Sequence, residues 1–411
     1  MSNAIPHDRP RGGGWLSRRR IVAISGSLIA LQLLVLGFLV AGAYGLVTRY
    51  GPSTVSFVSF YAAGELAIRG YAPLAYDEPI LGETEEDLTH PGTPFIPFLY
   101  PPVYLLVCAP LAILPALAAF AVFEATTLAL YLIVVQRILG VAEWQWLLPA
   151  LAFPATFWTI GYGQNAFLSA ALLGAATLLI DRRPAIAGSL LGLLCYKPHF
   201  LVLTPIALLA GRRWTTIASA AVTVALLIGL SVILFGPATW QSYLHSVVAS
   251  AGMSDFAIDR INVFASISPF AAARLLGLSI GHARLVQLVA TSCCVLLVAW
   301  VWGSRRSLPV RSAALVAGTL VAVPYALLYD LMLAAIGGAW LIRAARVSSV
   351  TTWEVPALAV IFILPLFAFQ ASLFFHLPLA PLAGAGLVLV TAIRAWLERR
   401  RSQPDPRPSL V

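Results

Sequence analysis

The sequence predicts an all-α integral membrane protein with many membrane segments, and three observations support that prediction. Of the 411 residues, 60% are hydrophobic and only 10% are charged, whereas a soluble domain has about 45–50% apolar and about 25% charged residues. The mean hydropathy is +0.88. The apolar residues also stand in long blocks of Leu, Ala and Val. Since each bilayer crossing needs about 20 residues, these blocks suffice for roughly 10–12 transmembrane or re-entrant helices.

The same patterns exclude other classes of protein. A transmembrane β-barrel would alternate between apolar and polar positions in segments of about ten residues, and these blocks do not alternate. The formal net charge is +9, but 25 of the 26 basic residues are arginines in short clusters between apolar blocks. Such clusters mark membrane topology, so we expect no nucleic-acid partner. The four cysteines lie inside apolar runs without metal-site spacing, and we expect neither a disulfide nor a zinc site.

The arginine clusters predict the orientation of the chain. Arg18–Arg20 precede a first apolar run, from Ile21 to about Val47, that is longer than the 7–15 residues of a secretory signal. The positive-inside rule then places the N-terminus, the C-terminus and the further clusters in the cytoplasm, with the protein among the membrane lipids. These clusters are Arg182/Arg183, Arg212/Arg213, Arg305/Arg306/Arg311, Arg343/Arg346 and Arg399–Arg401.

We expect one transmembrane domain, residues 21–397, between a cytoplasmic N-terminal tail, 1–20, and a cytoplasmic C-terminal tail, 398–411. In its second half the spans alternate in direction without contradiction. They are predicted at about 215–236, 284–303, 312–329, 331–345, 353–375 and 378–397.

Two polar breaks interrupt apolar segments in the first half. Residues 184–211 have an arginine pair at both ends, so a single crossing would leave one pair outside. Proline removes a backbone donor and disfavours helix continuation, and Lys197-Pro198 therefore predicts two short helices that return to the cytoplasm. Two short helices that return to the cytoplasm are likewise predicted for residues 146–180, with the break at Gly161–Asn165. Both breaks then approach the external side.

The number of apolar segments after Tyr100 does not fit the predicted orientation. Three apolar segments, about 100–114, 117–136 and 146–160, lie between two points that we place outside. One of them therefore does not cross, and we assign a re-entrant or interfacial helix to the proline-rich Tyr100-Pro101-Pro102 segment.

Two long segments are predicted as external loops. The first, about 49–99, holds seven of the 17 acidic residues, and the second, about 237–265, contains Asp255, Asp259 and Arg260. Loops beyond about 12–15 residues are usually functional or disordered, which favours an external substrate site. In the first loop we expect a short amphipathic helix ended by Gly70 and a solvated surface at Glu83–Asp87.

Ionisable residues at membrane depth are functional hypotheses, because burying a charge in hydrocarbon is expensive. Lys197 is the only lysine, and at its break it could hold a phosphate as a point charge or extend to the interface. His199 either assists it or is a spectator. Asp330 either caps a helix, pairs with Arg260 or Lys197, or takes part in chemistry. Glu124 could be satisfied by the nearby Thr126 and Thr127.

A set of short motifs in one order resembles the family 87 glycosyltransferases, which are polytopic enzymes of the GT-C fold. The resemblance covers about residues 20–397. Its motifs are Phe57-Val58-Ser59-Phe60-Tyr61-Ala62-Ala63-Gly64, Gly70 with Tyr76-Asp77, Tyr100-Pro101-Pro102, Gly163-Gln164-Asn165, Tyr196-Lys197-Pro198-His199 and Tyr329-Asp330.

This resemblance implies a GT-C-type fold, a place in the inner membrane of a bacterium and an activity. A single sugar, with mannose favoured, would pass with inversion from a polyprenyl-phosphate donor to a lipid or glycan hydroxyl on the external, periplasmic face. Such a transfer needs a carboxylate to take the acceptor proton and cations to stabilise the departing phosphate. No metal or other cofactor is expected, because Lys and Arg can neutralise a monophosphate.

One position departs from the family pattern. The family has an Asp, the expected catalytic base, where this chain has Ser56, and serine cannot replace a carboxylate in that role. We keep Ser56 as the site position and take Glu65 and Asp77 as weak substitutes. Glu65 lies nine residues on, about 900° around a helix, and would face away from Ser56.

For the remaining roles, the resemblance and the polar breaks suggest two groups. Lys197 is assigned to the donor phosphate, with His199 and Arg260 as helpers. Sugar or acceptor hydroxyls are assigned to Tyr100, Gln164, Asn165 and Asp330.

The missing Asp keeps a second class of function open. A lipid-linked sugar flippase, a transporter or an inactive glycosyltransferase paralogue would also use broken helices with charged breaks. Transporters often show internal repeats between their halves, and we find none here.

Overall fold

The computed structural model describes residues 18–40, 47–48, 51–52, 55–89, 92, 95–252, 263–348, 351 and 353–401. In this part of the chain nearly all regular structure is α-helical, with one antiparallel pair of two-residue strands, Val47–Thr48 and Gly51–Pro52. The helices of the first half are α1 Arg18–Val40, α2 Val55–Ile68, α3 Glu78–Leu88, α4 Leu105–Leu111, α5 Ala116–Leu139, α6 Leu148–Ala152, α7 Pro154–Tyr162, α8 Ala166–Leu179, α9 Pro184–Leu193 and α10 Thr204–Ala210.

The second half is built of longer helices. They are α11 Trp214–Phe235, α12 Pro237–Gly252, α13 Pro269–Leu275, α14 Ile280–Trp302, α15 Leu308–Ala322, α16 Met332–Ser348, α17 Glu354–Phe375 and α18 Leu379–Arg401. Among the described residues, seven helical segments are long and apolar enough to cross a membrane: those of α1, α5, α11, α14, α16, α17 and α18. The predicted all-α polytopic fold is thereby confirmed.

Both predicted breaks are present. α7 ends at Gly163, which has a φ of 63°, a left-handed conformation that glycine adopts without steric cost. α9 is followed by 3₁₀ turns at Leu194–Tyr196 and Pro198–Leu201 before α10 begins. The proline at position 198 therefore interrupts the helix where the sequence predicts it.

The proline-rich segment after Tyr100 forms a short helix. A 3₁₀ turn at Pro102–Tyr104 leads directly into α4. Together they make an apolar helix over Pro102–Leu111, about 15 Å long at 1.5 Å per residue. That is half of the roughly 30 Å hydrocarbon thickness, in agreement with a segment that does not cross.

The two predicted external loops are more regular than expected. The 49–99 segment contains α2, a 3₁₀ turn at Ala72–Tyr76 and α3, and most of the 237–265 segment is α12. The helix predicted before Gly70 is present as α2, but the prediction that it is amphipathic is wrong. It carries buried residues on several sides because α3, α4 and the 3₁₀ turn all pack against it.

The arginine clusters gather at one end of the molecule. The Asp181 carboxylate pairs with both Arg213 and Arg311, and Ser307 bonds Glu398, the residue before Arg399–Arg401. At the same time Arg343 and Arg346 donate to the last carbonyls of α5. Several of the arginine clusters are thus linked through shared side-chain partners. We call this side of the molecule the basic end.

The centre of the helical bundle is α15. Its residues from Val310 to Ala322 are all buried, and α16 and α18 pack against it. Trp340 of α16 is fully buried and donates its indole N–H to Thr177 of α8 at 3.1 Å. α8 is thereby fixed to the bundle core, with its first residue at the α7–α8 break.

Gly64 sets the distance between α2 and α4. A Cβ at this position would lie 2.3 Å from the backbone oxygen of Cys108 and 2.6 Å from its carbonyl carbon. Ala normally stabilises a helix interior relative to Gly by about 0.5–1 kcal/mol, but overpacking costs about 1–3 kcal/mol. We therefore expect Gly64→Ala to lower the thermal unfolding midpoint of the purified protein, measured by tryptophan fluorescence.

The matched control is Gly26→Ala in α1, where an added Cβ meets no atom within 4 Å. Its unfolding midpoint should equal or slightly exceed that of the unsubstituted chain. A Gly64→Ala protein as stable as the Gly26→Ala protein would contradict the close approach of α2 to α4.

Candidate functional site

A buried ion pair joins the two halves of the chain. Lys197 Nζ lies 3.1 Å from Asp330 Oδ1, and both residues are only 3% exposed. The rings of Phe200 and Tyr329 lie 5.2 and 5.4 Å from the ammonium group, within the range of a cation–π interaction. The chain's single lysine is thus held by one carboxylate and two aromatic faces.

The Asp330 carboxylate is fixed by its second oxygen. Oδ2 accepts from the backbone N–H of Leu327 at 3.0 Å, in the turn that precedes α16. The same turn is bridged to Ser266, with Ile267 donating to the carbonyl of Ala326 at 3.0 Å. Asp330 therefore presents a defined oxygen to Lys197 from a braced backbone.

Aromatic side chains from three segments pack beside the ion pair. The rings of Tyr100 and Tyr104 have centroids 4.6 Å apart, and Tyr104 stacks on Tyr196 at 5.0 Å. Phe60 of α2 stands edge-on to both Tyr100 and Tyr104 at 5.2 Å. This aromatic cluster places the Tyr100-Pro101-Pro102 segment directly against the residue that precedes Lys197.

The α7–α8 break meets the same cluster. Tyr100 donates its hydroxyl to Gln164 Oε1 at 3.3 Å, and Ser169 of α8 bonds the Tyr196 hydroxyl at 2.8 Å. The neighbouring Asn165 is fully buried, and neither its amide nitrogen nor its amide oxygen has a hydrogen-bond partner. An unpaired buried amide is costly, and here it offers one donor and one acceptor group beside the tyrosines.

The two breaks therefore assemble into one site. Tyr162, at the end of α7, lies 6.1 Å from Tyr329, the residue before Asp330. Both breaks lie at the ends of α7, α8, α9 and α10 that are remote from the basic end. The structure thus brings together Tyr100, Gln164, Asn165, Lys197 and Asp330.

The remaining predicted residues make other contacts or lie outside the described residues. His199 is exposed, with its ring 4.5 Å from Phe200. Glu65 pairs with Arg69, the residue that follows the end of α2. Asp77 is exposed and caps α3 by accepting from the backbone N–H of Ile80 at 3.2 Å. Arg260 lies outside the described residues.

Ser56 is buried at the start of α2. It shares a face of the helix with Phe60, because side chains four residues apart are neighbours on a helix surface. Phe60 contacts Tyr100 and Tyr104. Ser56, where the resemblance leads us to expect an Asp, is thus on the side of α2 that faces the aromatic cluster.

The structure also shows a buried carboxyl that the sequence analysis missed. Glu83–Asp87 was predicted to be a solvated surface, but Glu85 is only 2% exposed and accepts from the backbone N–H of Ile96 at 3.1 Å. The signal was available, because Leu81 and Leu88 lie four residues before and three after Glu85 and mark the apolar face of α3. Glu85 anchors the segment that leads to Tyr100.

The fold and this site define a class: a polytopic helical membrane protein whose polar groups converge at two helix breaks, far from its arginine clusters. The comparison with protein families is more specific. The model of glycosyltransferase family 87 matches residues 98–329, which is more than half of the chain. The chain therefore belongs to glycosyltransferase family 87, and the predicted family is confirmed. No curated protein and no solved structure matches it.

The matched region contains the Tyr100 segment, both breaks and Lys197, whereas Ser56, Glu65 and Asp77 precede it. Asp330 follows it by one residue. Most of the site thus lies in the part of the chain that the family shares.

The Lys197–Asp330 pair generates a stability prediction. Removing one partner of a buried ion pair costs about 3–5 kcal/mol, because the other charge is left uncompensated. We expect Lys197→Met to lower the free energy of unfolding by that amount. The double variant Lys197→Met/Asp330→Asn has no buried charge and keeps an acceptor for the Leu327 N–H, so it should recover most of the loss. Denaturant or thermal unfolding measures both, and a single variant as stable as the unsubstituted chain would contradict the pair.

Glu85 generates a pH prediction. Burial raises the pKa of Glu85 from 4.5 to about 7, and the hydrogen bond from Ile96 offsets part of that rise. The folded state therefore binds its proton more tightly than the unfolded state. The stabilisation is fully present below pH 4.5 and is lost as the pH rises through about 7.

Measured unfolding midpoints at pH 5 and pH 8 test this assignment. The unsubstituted chain should lose more stability between these pH values than Glu85→Gln, whose amide does not titrate and still accepts from Ile96. Parallel pH profiles of the two proteins would contradict it.

Proposed function

We propose that this glycosyltransferase moves a single sugar, with mannose favoured, from a polyprenyl-phosphate donor to a hydroxyl of a lipid or glycan acceptor. The observation that carries the proposal is the convergence of the chain's only lysine, an aromatic cluster and an unpaired amide at one end of the molecule. A lipid-linked sugar phosphate has the three matching parts: a phosphate, a sugar face and hydroxyl groups.

Lys197 is the proposed phosphate ligand. Its ammonium group has three N–H donors, and Asp330 accepts one of them. The remaining donors can bind a phosphate oxygen, and the charge stabilises the leaving polyprenyl phosphate as the glycosidic bond breaks. His199 and Arg260 are the proposed helpers. The carboxylate of Asp330 orients the ammonium group through its own bond to Leu327.

The sugar is proposed to bind at the tyrosines and the amides. Asn165 and Gln164 supply amide donors and acceptors, and the Tyr100 hydroxyl already bonds Gln164. Aromatic rings pack on the apolar faces of sugars while amides bond their hydroxyls, so the two kinds of group together can orient the anomeric carbon. Attack from the side opposite the phosphate inverts that carbon.

The face of the membrane follows from the arginine clusters. The site lies at the end remote from the basic end, and the positive-inside rule places arginine clusters in the cytoplasm. We therefore propose that transfer occurs on the external face of the bacterial inner membrane. No metal is required in this scheme, since the leaving group is a monophosphate bound by a cation.

An apolar cavity beside the site suits the isoprenoid tail. It has a volume of about 230 Å³ and lies between α9, α10 and α11. Leu201 and Thr204, which follow Lys197 within two turns, belong to its lining. A phosphate at Lys197 would thus leave its lipid chain next to a hydrocarbon-lined space within the membrane segment.

A transfer assay tests the proposed function. The full chain in nanodiscs is incubated with radiolabelled polyprenyl-phosphate mannose and a bacterial lipid extract. We expect label to appear in a new lipid or glycan product, and Lys197→Met/Asp330→Asn to abolish product formation while it remains folded.

The matched control is Arg69→Lys, a change at an exposed position just after the end of α2, which should keep the activity. Folded protein that transfers no sugar from any polyprenyl-phosphate donor would contradict the proposal and favour a flippase or transporter.

A further inference from the structure

Glu124 is a buried carboxyl that the scheme above leaves unused. It lies in α5 and is 7% exposed, and neither of its carboxyl oxygens has a hydrogen-bond partner. In the sequence, the nearby Thr126 and Thr127 are candidates to satisfy it. Thr127 instead bonds the backbone carbonyls of Phe123 and Glu124, and Thr126 is exposed. Burying an unsatisfied carboxyl is expensive, and within membrane segments such groups mark functional sites.

The packing of α5 on α8 gives the depth of Glu124. Tyr131 lies 5.8 Å from Phe167, and a Cβ at Gly174 would lie 2.7 Å from Val134 Cγ1. From the first contact to the second, the residue numbers increase on both helices, so α5 and α8 run parallel. Glu124 precedes Tyr131 by seven residues, or about 10 Å along the helix. Glu124 therefore lies toward the end of the bundle where α8 begins, directly after Asn165.

The packing of α2 on α5 gives its lateral position. Phe57, the residue after Ser56, has its ring 5.3 Å from Phe120 and 6.0 Å from Phe123. These two residues lie four positions and one position before Glu124. The turn of α5 that carries Glu124 thus adjoins the turn of α2 that carries Ser56, at the position where the family pattern has its Asp.

The other carboxylates in this region are engaged. Glu65 pairs with Arg69, Asp77 caps α3, Glu85 accepts from Ile96 and Asp330 holds Lys197. In the part of the chain that the structure describes, Glu124 is the buried carboxyl with both oxygens unpaired. It is thus available to a substrate hydroxyl without the loss of an existing bond.

We propose that Glu124 is the catalytic base of this enzyme and does the work of the Asp that is absent at Ser56. This inference rests on the proposed function. The acceptor oxygen forms a bond to the anomeric carbon while its proton moves to the Glu124 carboxylate. The bond from that carbon to the phosphate oxygen breaks, and its electron pair leaves with the polyprenyl phosphate.

The test compares variants in the nanodisc transfer assay with polyprenyl-phosphate mannose and the lipid extract. Since a general base contributes about 10²- to 10⁴-fold to a rate, Glu124→Gln is expected to lower kcat by at least about 100-fold with donor binding and unfolding midpoint retained. The double variant Ser56→Asp/Glu124→Gln restores a carboxylate at the neighbouring position, so it should recover activity. The matched control, Glu83→Gln at an exposed position of α3, should behave as the unsubstituted chain.

Each outcome separates this inference from the proposed function. If Glu124→Gln transfers sugar as fast as the unsubstituted chain, Glu124 is not the base, while the transferase function stands. The same holds if the unsubstituted chain is inactive and Ser56→Asp alone is active. If neither the unsubstituted chain nor Ser56→Asp transfers sugar, the proposed function fails and the inference with it.

A second variant covers a Glu124→Gln protein that does not fold. Glu124→Asp keeps the carboxylate but withdraws it by one methylene, and a base must lie within hydrogen-bond reach of its proton. We expect kcat to fall about 10-fold or more with an unchanged KM for the donor. An unchanged kcat would overturn the inference.

Discussion

The buried ion pair between Lys197 and Asp330 is the interaction on which the site depends. Each charge loses several kcal/mol of hydration free energy when it leaves water, so the pair persists only where its geometry is fixed. Here the backbone N–H of Leu327 fixes the carboxylate, and the rings of Phe200 and Tyr329 flank the ammonium group. The pair also joins residues 133 positions apart, and thereby holds the α9–α10 break against the turn before α16.

The breaks are a consequence of local sequence that the bundle then uses. Pro198 and Gly163 interrupt helices that would otherwise continue, and an interrupted helix exposes backbone and polar side chains that hydrocarbon does not accept. The aromatic cluster around Tyr100, Tyr104 and Tyr196 closes over these groups. A site is thus formed at one end of a bundle whose opposite end is occupied by arginines and their carboxylate partners.

Much of the fold follows from the sequence, because the membrane imposes a strong pattern. The apolar blocks, the arginine clusters and the proline break at position 198 predict helices that the structure contains close to their expected bounds. The regular structure of the 49–99 and 237–265 segments does not follow from these signals. Hydropathy identifies segments long enough to cross the membrane, whereas α2 and α12 are shorter helices whose positions depend on tertiary contacts.

The site is predictable in part for the same reason. A lysine in an apolar run is conspicuous, and the resemblance to the family gives the order of the polar motifs. The partner of Lys197 is left open by the sequence, because Asp330 is far away along the chain and several roles suit it equally. The carboxylates show this limit most clearly. Charge alone groups Glu85 with the exposed Glu83 and Asp87, and only its spacing from Leu81 and Leu88 sets it apart in the sequence. Tertiary packing is needed to separate the buried Glu124 from Asp77, which caps α3, and from the ion-paired Glu65.

A structure of the full chain in nanodiscs with a bound, non-transferable polyprenyl-phosphate sugar analogue tests the proposed site most directly. We expect a phosphate oxygen at about 2.7–2.9 Å from Lys197 Nζ, the usual distance of a charge-assisted hydrogen bond, with the sugar against Tyr100 and Asn165. A phosphate bound at the basic end, or a sugar remote from the two helix breaks, would contradict it.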